Sequence, residues 1–280
     1  MNFVRQMLII SHLTLHEAMR RRILLATLVC GGGFLTVFGI GLHFIVKDLV
    51  REGGTMLQQR ITLNMLTLAG LYAVNFLTVM SAVLLPIDTL SGDVASGVIQ
   101  TVASKPIARS GIVLGKWLAY WLVTACYLLL MAGGVILLAR FIGHFKLQGV
   151  SIGLPLMLLE ATVLMSLSIA GGTRFSTVTN GIVGFGMFGL AFIGNLVEQI
   201  GTFARNDAAR YVGTVTSLLM PSDSMWQLAA SHMQPAIMRQ MNVSPFSPAS
   251  VPSAAMVWWA AGYALVLVLL AIRGLSRRAL

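Results

Sequence analysis

Glu160 stands near the middle of an apolar run, Ile152 to Gly171. A carboxyl group at that depth is costly unless it is protonated, paired or wetted. Its chemistry is therefore that of a transport path, a proton carrier or a satisfied structural hydrogen bond. No lysine or arginine lies at comparable depth in the other apolar runs. The side chains able to hydrogen-bond it are Asn75, Thr124, Tyr127 and Asn195, and Glu160, Asn75 and Asn195 are the candidate substrate-path residues. Other polar constellations are weaker. His12 and His16 stand one helical turn apart without a third ligand, so no metal is expected there. Met220, Met225, His232, Met233, Met238 and Met241 could hold Cu(I). Methionine is abundant throughout the chain, however, with 16 residues, and flexible apolar packing is the expected use.

Two glycine patterns imitate phosphate sites. Gly184, Gly186 and Gly189 match G-x-G-x-x-G, yet they lie inside an apolar run rather than between a strand and a helix, so close helix packing or a local kink is expected. Gly111-Ile112-Val113-Leu114-Gly115-Lys116-Trp117 is one residue short of a phosphate loop, and Trp117 replaces the hydroxyl that magnesium needs. Neither suits a nucleotide, and no catalytic residue is expected.

The elements that must carry these residues follow from composition. Hydrophobic residues make up 57% of the 280, charged residues only 10%, and mean hydropathy is +0.85. A soluble domain covers its surface with charge, whereas a chain solvated by lipid does not need to. About 20 apolar residues cross the hydrocarbon as a helix, and six runs qualify: about 23–46, 61–86, 117–139, 152–171, 178–200 and 254–272. None alternates like a barrel strand. The fold expected is an all-α membrane protein with six transmembrane helices in one domain, 1–280. Residues 1–22 are expected as an amphipathic interfacial helix, and the apolar run that follows this charged lead, about 24 residues, is too long for the core of a cleaved signal. An outer segment, about 201–253, is expected as an amphipathic hairpin lying on the membrane surface.

Six spans place both termini on one side. The positive-inside tendency favours cytoplasmic termini, with eleven of the 19 lysines and arginines on that side, clustered at helix ends as in Arg20-Arg21-Arg22. The net charge of +10 then reflects topology and anionic-lipid contact rather than nucleic acid. Cys30 and Cys126 fall inside spans and are expected as packing residues.

Between the second and third spans lies a polar, small-residue-rich segment, about 87–116. Asp88, Ser91 and Asp93 offer helix caps, and Val94, Val98, Ile99 and Val102 recur on one helical face. Lys105 precedes Pro106 and must be extended. Ser110 can cap the third span, and Lys116 is expected to anchor that span at the headgroups. The segment reads as a short cytoplasmic helix clamped between two spans.

These residues resemble the membrane subunits of type-2 ABC transporters. In that family this loop reads acidic residue, a few positions, Gly, then Pro-(Ile/Val)-x-Arg and Gly-Lys. Here Asp93, Gly97, Pro106-Ile107-Ala108-Arg109 and Gly115-Lys116 stand in that order. Asp93 replaces the commoner glutamate, and Val98 a frequent threonine. The nearest resemblance is to the permease group of the nitrous oxide reductase maturation transporter. The resemblance implies a bacterial inner-membrane permease, an exporter without its own nucleotide site. It also implies a second permease chain as a homodimer partner and two ABC ATPase subunits that bind ATP and magnesium. Asp93, Gly97, Pro106, Arg109, Gly115 and Lys116 would couple ATPase closure to the membrane helices. The alternative, a secondary active transporter, would show more intramembrane charge and inverted repeats.

Overall fold

The computed structural model describes residues 3–53, 55–95, 108–235 and 251–277. Among them there are helices and turns and no strands. The elements run α1 (Phe3–Arg20), α2 (Arg22–Arg51), α3 (Met56–Leu84), α4 (Ser91–Ala95), α5 (Arg109–Ile142), α6 (Val150–Gly172), α7 (Thr177–Phe203), α8 (Asp207–Leu219), α9 (Ser222–Met233) and α10 (Ala254–Arg277). Six of them, α2, α3, α5, α6, α7 and α10, are long and apolar enough to cross a membrane.

Burial ranks these helices. α3, α5 and α6 form the centre, where Leu71, Val74, Leu128, Met157 and Leu164 are almost fully enclosed. α2 is peripheral, burying only Gly31 and Leu42. Its attachment depends on small residues: a Cβ at Gly70 of α3 would lie 2.6 Å from the Phe38 ring, and the Tyr127 hydroxyl donates to the Thr27 carbonyl at 3.2 Å. Cys30 and Cys126 are exposed, so they do not pack as expected from their place in apolar runs. Of the three glycines in the dinucleotide-like pattern, Gly184 faces Val83 at 2.8 Å from a notional Cβ, while Gly186 and Gly189 face open space.

Both chain ends described lie at one face of the bundle, here the terminal face. α1 packs there against the start of α5, with Gly115 opposite Ile10 and Met7. It buries Ser11, Thr14 and Ala18 and turns Val4, Leu8, Ile9, Leu13 and Met19 outward.

The opposite face corrects one expectation. The outer segment does not lie flat on the surface: α8 runs back along α7, with Ala209 against Gly201 and Glu198 against Gly213, and Thr216 donates to its own helix beside Gly194. Gly194 is nine residues inside the end of α7, about 13 Å of helix. The chain then turns at Met220 and Pro221, and α9 returns inside the bundle with Ser222 to Ser231 all buried. Methionines 220, 225 and 233 fill this core and are fully enclosed, whereas Met238 and Met241 lie outside the described residues. The surface expectation failed because amphipathicity alone does not distinguish lipid headgroups from a bundle interior as the partner of the apolar face.

Candidate functional site

Two polar constellations stand out against the apolar helices. At the terminal face, α5 starts at Arg109, two turns before its apolar run, with Ala108 rather than Ser110 in the cap position. Lys116 thereby falls inside the helix and is 6% exposed. It does not reach headgroups as expected. Its Nζ donates to the Thr89 carbonyl at 2.7 Å and pairs with Asp93 of α4. The Tyr120 hydroxyl, also buried, meets Thr89 Oγ1 at 3.0 Å. From the other side Thr177, in the first turn of α7, donates to Asp88 at 2.7 Å and shares a 3.0 Å hydrogen bond with Ser91. Asn180 donates to Ile87 O at 3.1 Å and to Ser168 O at 2.8 Å. The chain entering the 96–107 segment is thus tied to α5, α6 and α7.

The residues singled out in the sequence separate here. Asp93 and Lys116 meet. Arg109 instead reaches the last turn of α10, donating to Leu275 O at 3.3 Å and Ser276 O at 2.8 Å. Gly115 serves the α1 contact. Gly97 and Pro106 lie outside the described residues. Carbonyls at a helix end lack internal partners, so Arg109→Ala should cost about 1 kcal/mol at this half-exposed position, read as a Tm lowered by a few degrees.

The second constellation is inside the bundle. Glu160 is 1% exposed, and Asn75 Nδ2 donates to its Oε2 at 2.9 Å. The Asn75 Oδ1 has no hydrogen-bond partner. The other candidates do not join them: Asn195 accepts from Gln199 at 3.2 Å, Tyr127 bonds Thr27, and the buried Thr124 hydroxyl is unpartnered. A carboxyl that sequence reasoning missed does approach. Asp223, in the first turn of α9, lies within electrostatic range of Glu160, and Tyr72 of α3 lies within range of both. The Tyr72 ring packs on Trp226 at 5.3 Å. Asp223 is 6% exposed and accepts from Gln227 at 2.8 Å.

Burial pushes the Asp223 carboxyl up to about 7; Glu198 on α7 adds to the rise, and the Gln227 hydrogen bond opposes it. A carboxyl raised in the folded state stabilises that state fully below its ordinary range near 4, and the contribution is lost as pH rises through about 7. The Tm of wild type should therefore fall relative to Asp223→Asn as pH is raised from about 4 to about 7, and the difference should level off above that. A constant difference between the two proteins would contradict the assignment.

Buried helices of this length with interior polar clusters define an all-helical, multi-pass membrane protein. Residues 8–280 match the family described as ABC-2 family transporter protein, and the chain belongs to that family. It is thus an ABC transporter membrane permease, a class that works with an ABC ATPase. No curated protein matches the chain.

Proposed function

We propose that this chain is the membrane subunit of an ABC exporter in the bacterial inner membrane. Two copies pair, and two separate ATPase subunits bind and hydrolyse ATP with magnesium on the cytoplasmic side. The terminal face is the cytoplasmic face, so both termini are cytoplasmic, and the segment about 87–116 docks on the ATPase. Asp93, Gly97, Pro106, Arg109, Gly115 and Lys116 make up that coupling region, with Asp93 and Lys116 fixing its entry and Arg109 its exit. On the loop residues the nearest subgroup is the permease of the nitrous oxide reductase maturation transporter. Glu160 and Asn75 line or abut the substrate path; Asn195, which bonds Gln199 on its own helix, is assigned to that path only by its depth in α7.

The observation that carries the reading is the anchoring of this one segment. Loops ordinarily run free over the surface, yet here both of its ends are held, by Lys116, Thr177 and Asn180 on one side and by the α10 carbonyls on the other. A segment fixed to four helices can transmit displacement into the bundle. Co-purification with candidate ABC ATPases encoded in the same genome tests this. A stable complex with ATPase activity, weakened by Asp93→Ala, is expected. If no ATPase binds the wild-type chain, the coupling role of this segment fails.

A further inference from the structure

Asp223 of α9 acts electrostatically on Glu160 of α6, and the packing of α9 on α3 places them on one side: the Tyr72 ring, one turn from Asn75, lies 5.3 Å from that of Trp226, one turn from Asp223; among the described residues no cation acts on either carboxyl. The charged and titratable groups in range are Tyr72 from α3 and Glu198 from α7. α5 carries its cations at the helix ends, as Arg109, Lys116 and Arg140, and α10 carries Arg273 and Arg277 at the terminal face. α8 carries Asp207 and Arg210, which pair with each other near the opposite face. Among the described residues no ion pair includes Glu160 or Asp223; each accepts a hydrogen bond from a neutral amide. Two carboxylates in range of one another, enclosed and without a counter-cation, do not both stay ionised.

An independent observation points to what is missing. The Asn75 amide that donates to Glu160 leaves its own oxygen unpartnered beside the same carboxyl, although Asn75 is only 4% exposed. An acceptor buried without a donor is costly. A carboxylic O–H is a donor of the right kind, and with the Nδ2 bond already present it closes a two-bond ring between acid and amide. The fully buried Ser222 hydroxyl, next to Asp223, is also without a partner.

We propose that Glu160 and Asp223, with Asn75 as the neutral partner, form a proton-exchange site that nothing else in the chain's chemistry accounts for. In the docked arrangement one proton is held on the pair and shared with the Asn75 oxygen. Loss of that proton to water leaves two carboxylates, whose repulsion drives α9, and with it the re-entrant hairpin, away from α6. The ligand is a proton, and the moving part is the hairpin closing the opposite face. The site does not depend on ATPase coupling, so it stands or falls separately from the proposed function.

The test uses the full chain in lipid nanodiscs, followed by infrared difference spectroscopy through neutral pH. The expected result is a protonated-carboxyl C=O band that weakens as pH rises. Glu160→Gln or Asp223→Asn should abolish its titration, and Asn75→Leu should shift its frequency by removing the acceptor. Both acid-to-amide changes keep shape and hydrogen bonding. Should either fail to yield folded protein, 13C labelling of all aspartates, or of all glutamates, assigns the band in the wild type. No protonated band at neutral pH would overturn the proposal, as would a band insensitive to both labels or one displaced by adding tetraphenylphosphonium, which would mark a cation site.

Discussion

Lys116→Met is expected to uncouple the permease from its ATPase while leaving the six spans inserted. Methionine keeps most of the stem's packing volume but removes the donors that hold Thr89 O and Asp93. What remains is a carboxylate that has lost the Lys116 ammonium group and a buried carbonyl that has lost its Lys116 donor. Removing one partner of such a pair costs about 3 kcal/mol or more, and the loss falls on the short stretch from Thr89 to Asp93. Asp93→Leu alone should also be damaging, because it leaves the ammonium group, 6% exposed, with the Thr89 oxygens and, among the described residues, no counter-charge. The double change, Lys116→Met with Asp93→Leu, replaces the pair by apolar groups and should recover much of the Tm, as exchanges of whole buried pairs often do. ATPase association should follow the same pattern: weakened at least tenfold in each single variant and partly restored in the double. A double variant as poor as the two singles combined would show that Asp93 touches the ATPase directly, rather than acting through Lys116.

The helical architecture was legible because its physical cause is local. Twenty apolar residues in a row have few alternatives to a spanning helix, and a carboxyl in such a run advertises itself by its cost. Asn75 could be shortlisted as a partner of Glu160, since few amide side chains occur at that depth. Lys116 was misplaced because its burial is offset by a residue 23 positions earlier and by a backbone carbonyl, neither visible to a local reading. The same applies to Thr177 and Asn180, ordinary polar residues at a helix start whose partners lie some 90 residues back.

Asp223 was missed for a different reason. Ser222-Asp223-Ser224 after a proline has the composition of a surface turn, and a surface turn is what it would be if α9 faced water. The downstream signal is weak: Met225, Trp226, Leu228, Ala229 and Ala230 make a broad apolar face, yet Asp223, Gln227 and Ser231 still recur at four-residue spacing as on a solvated helix. Small residues at 229 and 230 mark close approach to another helix, which puts the preceding acid inside as well.

The seat of that helix gives the other large effect, at Gly149. This residue precedes α6 with φ +66°, a left-handed conformation that costs other residues about 1 kcal/mol or more. A Cβ there would also run into the His232 carbonyl at the end of α9, and that backbone atom cannot rotate away as a side chain would. Relief by shifting α9 is opposed on both sides. Asn64 Nδ2 donates to Met233 O at 3.3 Å, and the Met233 side chain fills the space over Gly153, 2.7 Å from a notional Cβ. Gly149→Ala should therefore lower stability by about 2 to 4 kcal/mol, the sum of backbone strain and overpacking. It should also loosen α9 from α6 and raise the reactivity of a cysteine placed at Ser231. Gly186→Ala is the matched control: it is a helical glycine facing open space, where alanine should stabilise by about 0.5 to 1 kcal/mol. A Tm for Gly149→Ala equal to that of Gly186→Ala would mean that the end of α9 is not held against the start of α6, and the hairpin would then be anchored by α3 and α7.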